Sequence, residues 1–185
     1  MPNSIKSERE ERIEKLHKIR AAKISAYPAK TARNYMIKDT LRDFTDLEKT
    51  KKKIILAGRL RSKREHGNLT FAHLEDGSGR IQVAFSKKDI GTEKYKFISD
   101  LIDIGDLAEI SGACFTTHRG EPSLMASDFK LLAKAIRPLP EKWHGLKDEE
   151  EILRKRYLDI LFNPESKSLF EKRTLFWRSV RNFLI

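Results

Sequence analysis

Residues 67–85, GNLTFAHLEDGSGRIQVAF, are predicted to place an aromatic ring among polar side chains on one face of a hairpin. The DGSG turn separates two segments whose side chains alternate with a period of two. If Glu75 pairs with Arg80 across this turn, one face is mainly apolar and is expected to be the core. The opposite face then contains three pairs: Phe71 with Ala84, His73 with Gln82, and Leu69 with Ser86. The small Ala84 is expected to leave the Phe71 ring uncovered.

An uncovered ring beside an amide and several cations suits single-stranded nucleic acid. A base can stack on Phe71, the Gln82 amide can read a base edge, and cations can take the phosphates. The nearby cations are Arg59, Arg61, Lys63 and Arg64. Two alternatives stay open at this point. The N-terminal helices could cover Phe71 and make it part of the core, and a β-bulge would reverse the two faces.

The composition narrows the class of partner. A formal net charge of +11 over 185 residues favours an anionic partner such as nucleic acid. The single cysteine, Cys114, allows no internal disulfide. Apolar runs stay below the ~20 residues of a membrane span. We therefore expect a cytoplasmic protein that binds neither membrane nor metal, since the five histidines show no metal-ligand spacing with each other or with Cys114.

The N-terminal part is predicted to be helical and basic. A helix is expected over residues 4–25, capped by Ser4, and a second over residues 40–50. Lysines surround the apolar stripe of the first helix, which is consistent either with phosphate contacts or with a solvated basic face. The candidates for contact with a nucleic-acid backbone on this helix are Lys15, Lys18 and Lys23.

The middle of the chain has the element order of an OB-fold, a small five-stranded barrel. Strands alternate from residue 53 onward, a helix is expected at 93–103, and a last hairpin turns at Arg119–Gly120. The predicted fold class is therefore α+β, mainly β: an OB-fold barrel with N-terminal helices and a C-terminal helical segment. A proline-rich linker follows. Asp148 is then expected to cap one helix and Asn163 the next, with Pro164 at its first position.

Three stretches resemble the N-terminal part of class II lysyl-tRNA synthetases. They are RLRSKREHGNLTFAHLEDGSGRIQVAF, GDLAEISGACFTTHRGEPSL and LLAKAIRPLPEKWHGLKDEEEILRKRYLDILFNPESKSLFEKR. The resemblance implies N-terminal helices at 1–52, an anticodon-binding OB-fold at 53–134, a linker at 135–147, and the start of a catalytic domain at 148–185. The apolar last helix then lacks a partner, so we expect these residues to be the front part of a longer protein.

The resemblance also implies residue roles. Phe71 would stack on an anticodon base, Gln82 and Arg64 would contact anticodon bases, and Glu121 would read the third anticodon position. Arg59 and the first helix would support the tRNA backbone, and His73 completes the candidate site. The last helix would contribute to the dimer interface of the family through Arg173, Trp177 and Val180.

Catalytic residues are not expected within these 185 residues, because class II motifs 2 and 3 are absent. The full-length family member would use ATP and magnesium to attach lysine to its tRNA. It would act as a homodimer, and no DNA partner is expected. Two other interpretations remain. One is a general single-strand-binding OB module, and the other is a shortened synthetase paralogue that binds a protein through its last helix.

Overall fold

The computed structural model describes residues 7–139 and 149–185, and its elements follow the predicted order. The described residues form five strands, with helices between the third and the fourth. In chain order the elements are α1 (Glu8–Ala21), α2 (Ile37–Arg42), α3 (Phe44–Thr50), β1 (Ile54–His66), β2 (Leu69–Glu75), β3 (Arg80–Ser86), α4 (Lys87–Ile90), α5 (Thr92–Leu101), β4 (Leu107–Thr116), β5 (Pro122–Ala133), α6 (Glu149–Arg154), α7 (Arg156–Phe162) and α8 (Pro164–Leu184).

The five strands form a closed barrel in the order β1-β2-β3-β5-β4. All pairings are antiparallel except that of β3 with β5, which is parallel. The long strand β1 closes the barrel, because its first half pairs with β4 and its second half with β2. This is the OB-fold predicted from the sequence.

The β2–β3 hairpin has the predicted register. Glu75 pairs with Arg80 and Phe71 with Ala84. Burial alternates along β2, so that Ala72 and Leu74 are in the core and Phe71 is not. Period-two patterning and the turn together determine the register because a slip by one residue would expose the core side chains.

A bulge occurs in β1 rather than in the hairpin. The pairing of β1 with β2 shifts between Leu60 and Ser62, which leaves Arg61 without a directly opposite residue. Beyond the shift, Lys63 lies opposite the core residue Ala72 and Arg64 opposite Phe71. The bulge therefore leaves the two faces of the hairpin as predicted. It places the cations of β1 on both sides of that strand.

The predicted helix over residues 4–25 is shorter in the structure. It begins at Glu8, and Ser7 and Glu10 form a capping box at its start. The predicted cap, Ser4, lies outside the described residues. The helix ends at Ala21 rather than at residue 25, and Lys23 follows in the left-handed region with φ 57°. In place of the single helix predicted over residues 40–50, the structure has two helices, α2 and α3, which meet at Asp43.

The described residues form two compact units on either side of residue 138. In the second unit, Asn163 Oδ1 accepts from the backbone N–H groups of Glu165 and Ser166, with Pro164 in the first turn, as predicted. The predicted cap Asp148 lies outside the described residues. Across residues 7–139 and 149–185, no helix is both long and apolar enough to cross a membrane.

Candidate nucleic-acid interface

Two neighbouring rows of side chains on the outer face of the barrel define the candidate site. The strand registers align the first row across β1, β2, β3 and β5 as Arg64, Phe71, Ala84 and Met125. They align the second row as Ser62, His73, Gln82 and Ser123. Residues two apart on a strand point to the same side, so the rows form one continuous surface. The sequence predicted its central members.

Phe71 is partly exposed and lies outside the core. Within the described residues, it is neither a member of the buried core cluster nor one of the partly buried side chains packed against that cluster. Ala84 opposite is 1% exposed, so the same face is covered around it. Phe71 is partly rather than fully exposed, so the ring is less open than predicted, but it still faces away from the core. Helix α2 contacts the hairpin at its turn, where the Ile37 N–H donates to Asp76.

Glu121 joins the second row through its carboxylate. Its Oε1 atom lies 3.2 Å from His73 Nε2, and its Oε2 atom accepts from Gln82 Nε2 at 2.7 Å. The turn before β5 holds Glu121 in this place, because its N–H donates to Thr117 Oγ1 and Gly120 adopts a φ of 80°. Three of the predicted site residues thus form one hydrogen-bonded group next to Phe71.

Two serines that were not predicted from the sequence complete this group. Ser62 Oγ lies 2.8 Å from His73 Nδ1, and Ser123 Oγ donates to Gln82 Oε1 at 2.9 Å. The position of Ser123, two residues after Glu121 and on the same face of β5, was the available signal. The parallel pairing of β3 with β5, which brings it to Gln82, has no local signature.

His73 is expected to be neutral at physiological pH. Burial lowers the pKa of His73, and the positive charge of Arg80 lowers that pKa further, against the opposing effect of Glu121. A carboxylate only accepts hydrogen bonds, so the neutral ring donates from Nε2 to Glu121 and accepts at Nδ1 from Ser62. The imidazole therefore keeps a fixed orientation beside the Phe71 row.

The predicted cations occupy different places around this face. Arg64 is exposed in the Phe71 row. Arg59 is half-buried, and its Nη1 donates to the Gly105 carbonyl at 2.7 Å. Burial lowers the pKa of Arg59. Arg61 is 12% exposed and pairs with Glu75 at 3.4 Å. Of these three arginines, Arg64 is the most accessible to a phosphate.

Lys63 is placed away from the predicted backbone contact. Its ammonium donates to the carbonyls of Ile98, Ser99 and Ile102 at 2.8, 2.6 and 3.1 Å, and its side chain is 14% exposed. The C-terminal carbonyls of a helix attract a cation, and the bulge in β1 directs Lys63 toward the end of α5. Lys63 is therefore engaged within the protein, and its contact with a phosphate stays a prediction.

Lys15 of helix α1, one of the lysines predicted to contact a nucleic-acid backbone, forms an ion pair within the protein. Lys15 pairs with Asp103, and Asp103 also pairs with Lys134. Lys15 is thus engaged within the protein, and its contact with a nucleic-acid backbone stays a prediction. Lys18 and Lys23 are exposed and remain candidates for phosphate contact.

The predicted interface residues on α8 share one side of that helix. Arg173, Trp177 and Val180 follow the spacing i, i+4, i+7. Trp177 is 56% exposed, and the Phe176 ring packs against it edge-on with centroids 5.4 Å apart.

The described residues contain no cluster of three or more His, Cys, Asp or Glu side chains suited to a metal ion.

The closed five-stranded barrel is an OB-fold, an architecture that is known for binding oligonucleotides. Residues 54–132 match the model of the tRNA anti-codon family, an OB-fold nucleic acid binding domain. This segment of the chain is therefore similar to the OB-fold domains of that family.

Over nearly its whole length, the chain is similar to lysine–tRNA ligases. It is 42% identical to the lysine–tRNA ligase of Pelotomaculum thermopropionicum over 94% of this chain and 34% of the relative, and 42% identical to that of Roseiflexus castenholzii over 95% and 36%. The Aquifex aeolicus lysine–tRNA ligase is 46% identical over 70% of this chain and 22% of the relative. The resemblance noted in the sequence is confirmed. The chain spans about a third of the length of the first two relatives.

Proposed function

We propose that the barrel recognises the anticodon loop of lysine tRNA. The observation that carries this proposal is the outward Phe71 ring beside the hydrogen-bonded group of His73, Gln82 and Glu121. A ring of this kind offers a stacking surface to one unpaired base, worth ~1–3 kcal/mol. The amide and the carboxylate offer both donors and acceptors to the edges of the neighbouring bases.

The chemistry of the lysine anticodon matches this surface. Lysine anticodons are rich in uridine, and uridine stacks weakly on its neighbours, so that little free energy opposes moving it onto a protein ring. Arg64 lies in the same row as Phe71 and is exposed, which suits it to a phosphate or a base near the stacked nucleotide. Arg59, Lys18 and Lys23 are candidates for more distant backbone contacts.

We extend the proposal to the protein that contains this domain. By its resemblance to class II lysyl-tRNA synthetases, it would attach lysine to tRNA with ATP and magnesium, working in the cytoplasm as a homodimer. Residues 1–52 and 53–134 would recognise tRNA, 135–147 would be a linker, and 148–185 would begin the catalytic domain. Arg173, Trp177 and Val180 of α8 would lie in the dimer interface. Catalysis itself would need residues beyond these.

The test is the binding of a lysine-tRNA anticodon stem-loop and of a loop with one changed central base. Titrations at fixed moderate salt would compare the wild-type chain with Phe71→Ala and Phe71→Leu. We expect the wild type to prefer the uridine loop, and Phe71→Ala to lose roughly 1–3 kcal/mol of binding free energy. Phe71→Leu keeps an apolar side chain but removes the stacking ring, so it should also bind weakly while remaining as stable as the wild type.

A different pattern of results would favour the second interpretation. A general single-strand-binding OB module would bind both loops alike, with a steep dependence on salt. If, in addition, Phe71→Ala changed only the free energy of unfolding, the ring would be part of the core. The net charge of +11 would then account only for nonspecific attraction to phosphates.

A further inference from the structure

Both ends of the Gln82 amide are engaged within the protein. Its Nε2 donates to Glu121 Oε2 at 2.7 Å, and its Oε1 accepts from Ser123 Oγ at 2.9 Å. A carboxylate offers no hydrogen to donate, so the amide nitrogen must face Glu121. The amide oxygen must then face Ser123. The amide orientation is thus determined by two different partners.

The Ser123 hydroxyl lies beneath the site and out of reach of a ligand. Ser123 is 0% exposed. Its Oγ is also 3.1 Å from the carbonyl oxygen of Glu121, which it can reach with the same hydrogen. One buried hydroxyl therefore contacts the side chain of Gln82 and the backbone of Glu121. The pairing of Gln82 with Ser123 in the parallel β3–β5 ladder holds the two residues side by side.

We propose that Ser123 is a positioning residue that, together with Glu121, fixes the orientation of the Gln82 amide and so allows this site to tell uracil from cytosine. The inference rests on the proposed function. Uracil presents a donor at N3 and an acceptor at O4, and cytosine presents the reverse order at N3 and N4. A glutamine amide that turns over freely satisfies either order with little loss. An amide that Glu121 and Ser123 hold in one orientation satisfies only one of these two orders.

The test compares lysine anticodon stem-loops that differ by one U-to-C change, made separately at each of the three anticodon positions. The proteins are the wild type, Ser123→Ala, Phe71→Ala and the control Ser127→Ala. Ser127 is an exposed serine of the same strand, whose Oγ donates to the Ser111 carbonyl at 3.2 Å. Removing it changes a hydroxyl of β5 but no contact of Gln82.

For Ser123→Ala we expect the preference for uracil over cytosine to fall about 3- to 10-fold at one position, which is the range of a single hydrogen bond. The affinity for the uridine loop should fall by less than this. The side-chain amide resonance of Gln82 in the free protein should shift or broaden, because its oxygen has lost a fixed partner. Ser127→Ala should keep the wild-type preference and the wild-type Gln82 resonance.

Each other result overturns the inference in a distinguishable way. If Ser123→Ala keeps the full uracil preference while Phe71→Ala still weakens binding, Ser123 does not position the Gln82 amide, and the proposed function stands. If the wild type itself has no preference and Phe71→Ala binds normally, the proposed function fails, and this inference fails with it. A large fall in the melting temperature of Ser123→Ala alone would make Ser123 a structural residue.

Discussion

Arg64 lies directly opposite Phe71 in the pairing of β1 with β2, whereas its neighbour Lys63 lies opposite the core residue Ala72. Two adjacent cations of the same strand therefore face different surroundings. Arg64 is exposed beside the candidate stacking ring, and Lys63 holds the end of α5. The basic run in the sequence is thus divided into one cation that is exposed at the candidate site and one that is engaged within the protein.

This division predicts opposite phenotypes for two alanine variants. Arg64→Ala should weaken anticodon stem-loop binding and reduce the salt dependence of binding by about one phosphate contact, with little change in stability. Lys63→Ala should leave the salt dependence unchanged and lower the free energy of unfolding by about 1–3 kcal/mol, because buried carbonyls lose their donor. Binding at several salt concentrations and urea unfolding would measure the two effects. Equal losses of binding in both variants would contradict the assignment.

The ion pair between Lys134 and Asp106 is predicted to be necessary for folding. Both side chains are 0% exposed and lie 2.7 Å apart. Lys134→Met would leave a buried carboxylate without its partner, at a cost of about 3–5 kcal/mol. The matched control is Lys94→Ala in the exposed pair with Asp128, where we expect a change of ~0–1 kcal/mol. Urea unfolding of both variants would decide, and similar small losses would contradict the prediction.

A side chain at Gly112 is predicted to distort the barrel. A Cβ atom there would lie 2.1 Å from the backbone oxygen of Met125, which the β4–β5 ladder holds in place. We expect Gly112→Ala to lower the free energy of unfolding by about 1–3 kcal/mol. Gly77→Ala is the control, because a Cβ at Gly77 meets nothing within 4 Å. Thermal unfolding should separate the two, and equal melting temperatures would refute the close approach.

The lowered pKa of His73 predicts a loss of stability on mild acidification. Burial lowers the pKa of His73 in the folded chain. The unfolded chain therefore takes up a proton near the ordinary histidine pKa of ~6.5, while the folded chain does so only at lower pH. The contribution of His73 to the free energy of unfolding is therefore complete above pH ~6.5, and it is lost as the pH falls toward the pKa of His73 in the folded chain.

The variant His73→Gln, which does not titrate, should have a flatter stability profile between about pH 7.5 and 5.5, where ordinary carboxylates remain ionised. Urea unfolding at a series of pH values would measure this. A wild-type profile as flat as that of the variant would show that His73 titrates normally in the folded chain.

Local pattern was enough to predict the hairpin and the cap of α8. The alternation around DGSG determined the register that places Phe71 outside, and Asn163 with Pro164 marked the start of α8, as the structure has them. These features depend on residues a few positions apart, whose preferences act through the backbone itself. The resemblance supplied Glu121, which no local pattern indicates.

The tertiary structure alone decided which of these residues meet. The parallel pairing of β3 with β5 brings Ser123 to Gln82, although 41 positions separate them in the chain. The bulge in β1 turns Lys63 toward α5, and Asp103 holds Lys15 across 88 positions. Such contacts exist only when the barrel closes, because the hydrogen-bond partners of a side chain depend on what the whole fold brings near it. The sequence by itself determined the chemical groups and the faces of the hairpin, and the closed barrel determined which groups remain available to a ligand.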